Sequence, residues 1–543
     1  MDVIKKVLSE ELGIEKDKIK LEVPPEGHGD YAFPCFLLSK ELKKDPSSIA
    51  KDLEARLKDK LPRKIEKVVA EGPYLNFFMN KDYMIEVIAK SSLKPFEKKG
   101  TALVEHTSVN PNAPQHVGRA RNSIIGDSIV RILKEYGYDV ETHYFVNDVG
   151  KQIAMLVYGL GDRDPNSISF EDYLKLYIDV NKRLEANPEL EKEIFKLIKK
   201  YEEGDEETVK KFKGVVDVCL KGQLELLDKL GIKFDKFDYE SDFISKVEDV
   251  LKRLPTKIDN EGRVVVDLSK YKLPMKDPHL VLKRSDGTYL YIVKDLVYTM
   301  YKMDLGKDLN IVVLGEDHKL YFMQLKALLD MLGYKSPDVI HYSFVLLPHG
   351  KMSTRKGNVV LLKDFMEEAY KRAKEELEKR YGSVPEKLVE EIAYGAIKYT
   401  ILKVAPEKNV IFKWEEALDF TGNSSPYLQY AGVRARRILE QKGLKGNEDI
   451  NLSLLKNLND EEYSLLKKAL CYKDVIKEAA QKYKPNIIAN YCVDLAKHFN
   501  EFYEKCKVIG SEVEEKRVQI VLIFYKALSK CLHLLGITIP EKM

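Results

Sequence analysis

The stretch TALVEHTSVNPNAPQHVGRARNSIIGDSIVRILKEYGYDVETHYFV, residues 101–146, decides the fold. It opens on TALVEHT, a short run rich in β-branched and apolar residues that predicts a strand. A loop rich in Pro and Asn, SVNPNAPQHVG, comes next. RARNSIIGDSIVRILKEYG then carries helical periodicity to a terminal glycine, and VETHYFV reads as a second strand. Strand, loop, helix and strand within about 45 residues form a βαβ unit, which predicts a parallel sheet with crossover helices.

Upstream, residues 1–98 read as a small α+β unit. Helical periodicity covers Val3–Leu12 and Ser48–Leu61, PPEGHGDYAFP is turn-rich, and a strand pair is expected around VVAEGPYLNFFMN. SSLKPFEKKG reads as a linker. Downstream, residues 155–230 are mostly charged helix and read as an inserted helical block with a solvated face. The sheet pattern resumes near Lys233 with RVVVDL, YLYIV, NIVVLG and VIHYSFVLLP. From Phe365 the chain reads as helical, with a junction at Leu402–Phe412 and a bundle after it. Three segments are therefore expected: 1–98, 99–405 with the insertion, and 406–543.

A length of 543 residues suits several domains. Ninety Lys and Arg against 87 Asp and Glu leave a net charge of +3, which neither demands nor excludes a nucleic-acid partner; that needs only local basic surface. The six cysteines, Cys35, Cys219, Cys471, Cys492, Cys506 and Cys531, form no CxxC pair. That spacing argues against a zinc ribbon and a disulfide framework, so no bound metal and a cytoplasmic protein are expected. The N-terminus has no apolar core of a signal peptide. Lys526 and Lys530 break the apolar run VQIVLIFYKALSKCLHLLGI, which suits a packed helix rather than a membrane span.

Two segments carry the signs of nucleotide chemistry. His116-Val117-Gly118-Arg119 opens the helix after the first strand. A helix N-terminus offers free N–H groups to an anion, glycine permits close approach, and histidine can donate to phosphate. Lys351-Met352-Ser353-Thr354-Arg355-Lys356-Gly357-Asn358 follows the apolar run YSFVLLP. Its three cations, Lys351, Arg355 and Lys356, suit a pyrophosphate leaving group. Each is weak alone. Together, both are expected at the C-terminal ends of parallel strands, where open α/β sheets bind ligands.

In form and order these segments resemble the two ATP signatures of the class I aminoacyl-tRNA synthetases. VEHTSVNPNAPQHVGRARNSIIGDSIVRIL, FDYESD, SDGTYLYIVKDLVY, VVLGEDHKLYFMQL, GKMSTRKGNVV, SSPYLQYAGVRARRIL and LLGITIPEKM are similar to the arginyl-tRNA synthetase family, in its archaeal variants. The likeness runs from GDYAFP to the last residue. It implies an α/β fold: a Rossmann-like parallel-sheet catalytic domain with a helical insertion, a small α+β N-terminal domain and an all-α anticodon-binding bundle. It implies ATP with Mg²⁺, arginine and tRNA-Arg as partners; a monomer is expected, although the sequence does not report oligomeric state.

By the same resemblance, arginine-binding positions fall on Glu105, Asn110, Glu240, Tyr291 and Asp295. Carboxylates and a flat aromatic edge suit a guanidinium, a planar fork of five donors. His116 and Gly118 fall at phosphate and adenine–ribose positions, Lys351 and Met352 on the closing loop, and His318 at a further nucleotide or arginine position. Tyr74 and Asn76 match base-contacting positions at the tRNA elbow, and Tyr430 with Arg434 suits an anticodon base and its phosphates. Trp414 is assigned to packing. The family also implies that activation needs bound tRNA.

Three departures bear on catalysis. The first signature ends in Arg119 where the family usually has His. The second has Thr354 at a position that is commonly a catalytic lysine, and Ala113 stands where some members carry a compensating lysine. Ser353, Arg355 and Lys356 are therefore catalytic candidates beside His116, Gly118, Arg119 and Lys351. The alternatives are another class I synthetase, a shorter cytidylyltransferase-like nucleotidyl transferase, and a catalytically silent paralogue that binds tRNA.

Overall fold

A computed structural model describes residues 2–25, 27–347, 350–351 and 360–543. The chain divides into two compact units. One comprises Met1–Pro95, Ala435–Cys471 and Lys497–Ala527; the other comprises Phe96–Arg434, Tyr472–Ala496 and Leu528–Met543.

In the first unit, a central strand, Tyr74–Met79, pairs antiparallel with Tyr31–Pro34 on one side and Ile65–Glu71 on the other. Sequence reading anticipated the pair but not Tyr31–Pro34, whose four residues are too few for a periodic signal. Helices Asp2–Leu12 and Pro46–Leu57 pack Ile4, Leu8, Ile49 and Leu53 against Leu75 and Phe77. In the same unit, the rings of Phe499 and Phe524 stack at 3.9 Å, and buried Glu462 takes Lys516 at 2.6 Å and Arg517 at 2.8 Å.

The second unit holds a five-stranded parallel sheet. Its parts are β1 (Gly100–Glu105), α1 (Val117–Tyr136), β2 (Tyr138–Val146), β3 (Lys236–Tyr239), α2 (Tyr291–Asp304), β4 (Leu309–Gly315), α3 (Lys319–Met331) and β5 (Asp338–Tyr342). The order across the sheet is β5-β4-β1-β2-β3, with every pairing parallel. Successive strands run outward from β1 in one direction and then, from β4, in the other. The crevice between the C-terminal ends of β1 and β4 is thus the topological switch point, where such sheets bind ligands.

The insertion is helical as expected: Lys151–Leu160, Phe170–Ala186, Leu190–Glu202 and Glu206–Lys229 share a core that includes Ile153, Tyr173, Phe212 and Val216. Three strand expectations need correction. YLYIV is not a strand, because Tyr291 begins α2; a short apolar run cannot by itself be told from a helix start. RVVVDL is a strand, but Val264–Asp267 belongs to a separate antiparallel sheet with Thr256–Ile258 and His279–Lys283. VIHYSFVLLP splits into β5 and Val345–Leu347, and the latter pairs with Gly350–Lys351 and Val410–Ile411, outside the parallel sheet. The second signature therefore does not leave the end of a main-sheet strand.

Glu514–Leu534, which contains all but the last three residues of the late apolar run, is a packed helix: Lys526 reaches the Glu448 carbonyl and Lys530 reaches Glu135 at 2.8 Å. Among the described residues no helix is long and apolar enough to cross a membrane.

Gly126 shows how tightly α1 sits under β1. A Cβ there would lie 2.2 Å from Cγ of His106, a fully buried ring. Gly126→Ala is expected to cost about 2 kcal/mol or more by overpacking. Differential scanning calorimetry reads this as a lowered unfolding midpoint, whereas an unchanged midpoint would show that the ring has room to move.

Candidate functional site

The first signature occupies the expected place. His116 is the N-cap of α1, with extended backbone (φ −90°, ψ 158°) and no side-chain cap bond. Its Nδ1 is buried without a partner, and burial, helped by the Arg119 charge, pushes its pKa down to about 4. The ring is therefore neutral at pH 7. Gly118 lets it fold over the first turn: a Cβ at Gly118 would lie 3.0 Å from His116 Nδ1.

The chain beyond the second signature returns to the first. Val117 N–H donates to the Val360 carbonyl at 3.1 Å, and Leu362 N–H donates to the Gln115 carbonyl at 2.8 Å. On the entry side, the Lys351 backbone pairs with Leu346. Arg121, wholly buried on α1, donates to the carbonyls of Ser343 at 2.7 Å, Phe344 at 3.3 Å and Ala405 at 3.1 Å. Both ends of the second signature are thus tied to the element that carries the first. Met352, Ser353, Arg355 and Lys356 lie outside the described residues.

The loop from β1 to α1 is strained and braced. Thr107 and Ser108 both have positive φ, +70° and +40°, which is costly for residues with a Cβ. Asn122 of α1 accepts the Thr107 N–H at 2.7 Å and donates to Val313 of β4 at 2.8 Å, bridging the switch point. Gln223 of the insertion donates to the carbonyls of Asn110 (3.1 Å) and Ala113 (2.8 Å).

The five arginine-binding candidates fall on this crevice and the elements around it. Glu105 ends β1, where it accepts from Ser108 Oγ at 3.0 Å and pairs with Lys302. Glu240 follows β3 and pairs with Lys294 at 2.7 Å; burial raises its pKa despite the lysine. Tyr291 and Asp295 are one turn apart on α2. Tyr291 is 59% exposed and its ring stacks on Tyr321 at 4.8 Å, and the Tyr321 hydroxyl donates to Asp295. Burial lifts the Asp295 carboxyl to about 7; the charges of Glu105 and Glu240 add to this, and the Tyr321 bond and Lys302 oppose it. The three carboxylates therefore act on one another. Asn110 donates to Gln152 at 2.8 Å and accepts from Asn147 at 2.9 Å.

His318 lies just past β4, half exposed, with its ring edge-on to Tyr321 at 6.0 Å. It thus neighbours the Asp295 side of the crevice. Sequence reading missed Tyr321, Lys294 and Lys302. A signal existed: Tyr291, Asp295, Tyr298 and Lys302 recur at helical spacing along one stripe of α2.

The tRNA candidates are mixed. Tyr74 is partly exposed and lies edge-on to the exposed Phe36 at 5.6 Å. Asn76 is only 3% exposed and donates to Glu71 at 3.0 Å, so it presents no free edge to a base in this form. Arg434 lies over the Tyr430 ring at 4.7 Å, covering one of its faces. Trp414 packs with Phe365 and Phe412, as expected.

Three family models match the chain: tRNA synthetases class I (R), catalytic domain, over residues 85–414; the DALR anticodon binding domain over 428–543; and the arginyl tRNA synthetase N terminal domain over 1–79. The arginine–tRNA ligase of Methanocaldococcus jannaschii is 40% identical, covering 100% of this chain and 99% of that protein. The arginyl-tRNA synthetase structure of Thermus thermophilus matches with a TM-score of 0.77 at 29% identity, covering 100% of this chain and 99% of the other. That of Plasmodium falciparum shares the fold, with a TM-score of 0.78 at 21% identity, covering 100% of this chain and 98% of the other.

Proposed function

Because the chain belongs to the arginyl-tRNA synthetase family, we propose that it activates arginine with ATP and transfers the arginyl group to the 2′-hydroxyl of the terminal adenosine of tRNA-Arg. One observation carries the choice of amino acid. Asp295 is a carboxylate with a hydrogen-bonded tyrosine and, among the described residues, no ion pair, set among Glu105, Glu240 and the exposed ring of Tyr291. A guanidinium supplies the missing countercharge and lies flat against the ring.

In the first step a carboxylate oxygen of arginine attacks the α-phosphorus of ATP, the new C–O–P bond forms, and the bond to pyrophosphate breaks. The attacking carboxylate is already ionised, so no general base is needed. Catalysis is placement and charge stabilisation. Neutral His116 donates to a phosphate oxygen, the α1 N-terminus faces the same charge, and Arg119 adds a fixed cation. Mg²⁺ bound to the substrate ATP would supply further positive charge to the pyrophosphate. In the second step the 2′-oxygen attacks the carbonyl carbon, AMP leaves, and the hydroxyl proton is lost. Tyr74 and the Tyr430–Arg434 pair are proposed RNA contacts. The protein is proposed to act as a cytoplasmic monomer.

Lys351, Arg355 and Lys356 are proposed to hold the leaving pyrophosphate in place of the lysine that Thr354 replaces. Lys356→Ala is expected to lower the activation rate by about 100-fold with little change in the KM for ATP. Equal changes in both constants, or none, would remove Lys356 from this role.

ATP–pyrophosphate exchange with each amino acid, with and without tRNA, tests the function. Exchange driven by arginine alone is expected. Exchange with another amino acid would reject the specificity, and tight tRNA binding without exchange would favour the silent paralogue.

A further inference from the structure

One side chain from α3 touches two of the groups that α2 brings to the crevice. Tyr321 is partly buried near the start of α3, and its ring is stacked on that of Tyr291, with centroids 4.8 Å apart and planes 18° from parallel. Its hydroxyl donates to Oδ2 of Asp295, one turn further along α2. The other oxygen, Oδ1, takes no hydrogen bond among the described residues, so it stays open to a guanidinium N–H. Tyr321 is a donor throughout the working range: burial, with the Asp295 charge, holds its hydroxyl well above the ordinary tyrosine value.

A donor on a carboxylate favours the charged form. At Asp295 burial acts the other way, and so do the charges of Glu105 at the end of β1 and Glu240 after β3; Tyr321 and Lys302 oppose them. Glu240 is in turn under the influence of Lys294, Asp148 and Glu202, none of which bonds to Asp295. We infer that Tyr321 is a positioning residue for arginine: its hydroxyl holds one oxygen of the Asp295 carboxylate and leaves the other for the guanidinium, while its ring backs the Tyr291 ring. This inference rests on the reading of the crevice as the arginine site, and deepens it by naming the residue that sets the carboxylate. If Tyr321 served packing alone, phenylalanine would do as well.

Tyr321→Phe keeps the ring and its stack and removes only the hydroxyl. In pyrophosphate exchange KM for arginine should rise about tenfold or more, the size of a hydrogen bond to a charged group, while KM for ATP stays within about twofold. The rise of arginine KM toward low pH should begin at a higher pH than in the unmodified chain, because the ionised carboxyl has lost a donor. With Asp295→Asn already present, the same change should cost no more than about twofold in kcat/KM, since the partner it acts through is gone. An unchanged KM for arginine, an unmoved pH profile, or a full tenfold loss on top of Asp295→Asn overturns the inference. A crystal structure of the unmodified chain with arginine bound gives a second reading that needs no variant to fold. The hydroxyl should remain on Oδ2 with the guanidinium on Oδ1, and a hydroxyl released from Asp295 overturns the inference as well. Exchange in the unmodified chain with an indifferent Tyr321→Phe removes this inference alone, whereas no arginine-dependent exchange in the unmodified chain removes the functional reading with it.

Discussion

Asp295→Asn is expected to reduce kcat/KM for arginine by about a thousandfold or more while leaving the KM for ATP within a few-fold. The substitution keeps the shape of the side chain but removes the uncompensated charge. It also places an amide N–H where a guanidinium N–H needs an acceptor. Glu105 and Glu240 cannot take over, because Lys302 and Lys294 already hold them. The pH dependence should point to the same group. On the proposed reading arginine binds the ionised carboxyl, and burial lifts the pKa of the free carboxyl to about 7. Below that pH the proton must be displaced, so KM for arginine should rise as pH falls, by at most about tenfold per pH unit, and level off above it. A reduction smaller than tenfold in the variant, or a flat KM between pH 6 and 8, would show that the guanidinium is held elsewhere.

The second large effect is expected at the first signature. His116→Ala should lower the rate of arginyl-adenylate formation by about 100-fold or more, the size expected for one hydrogen-bond donor to a charged transition state. KM for arginine should change little. With its pKa near 4, His116 is neutral through the working range and contributes no step to the profile between pH 6 and 8. Single-turnover measurement of adenylate formation separates this from binding. If the variant lost only ATP affinity and kept its rate, His116 would be a ground-state contact.

Much of this was legible in the sequence for identifiable physical reasons. The βαβ unit at residues 101–146 could be read because strand, loop and helix periods change cleanly there, and β1, α1 and β2 fall where expected. The charged insertion was legible through its helical repeat. YLYIV misled because α2 begins inside it, with its polar and aromatic residues on one stripe directed at the crevice. The candidate carboxylates come from resemblance, and their state is not legible in the sequence. That Lys294 and Lys302 neutralise two of them, and that Tyr321 reaches Asp295 from α3, depends on contacts between segments distant in sequence. The junction of the two signatures, Val117 N–H on the Val360 carbonyl, is likewise a tertiary contact that spacing alone does not encode. Asn76 is a residue of suitable type that is buried, with its amide donating to Glu71.

On the proposed reading one crevice binds a guanidinium at Asp295 and a phosphate at the start of α1. A crystal structure with a non-hydrolysable sulfamoyl analogue of arginyl-adenylate tests both halves at once. The guanidinium should lie against Asp295 beside the Tyr291 ring, with Lys294 and Lys302 still on their glutamates, and the sulfamoyl group should lie within hydrogen-bond distance of His116. An analogue bound with its guanidinium away from Asp295, or with its sulfamoyl group far from His116, would contradict the account.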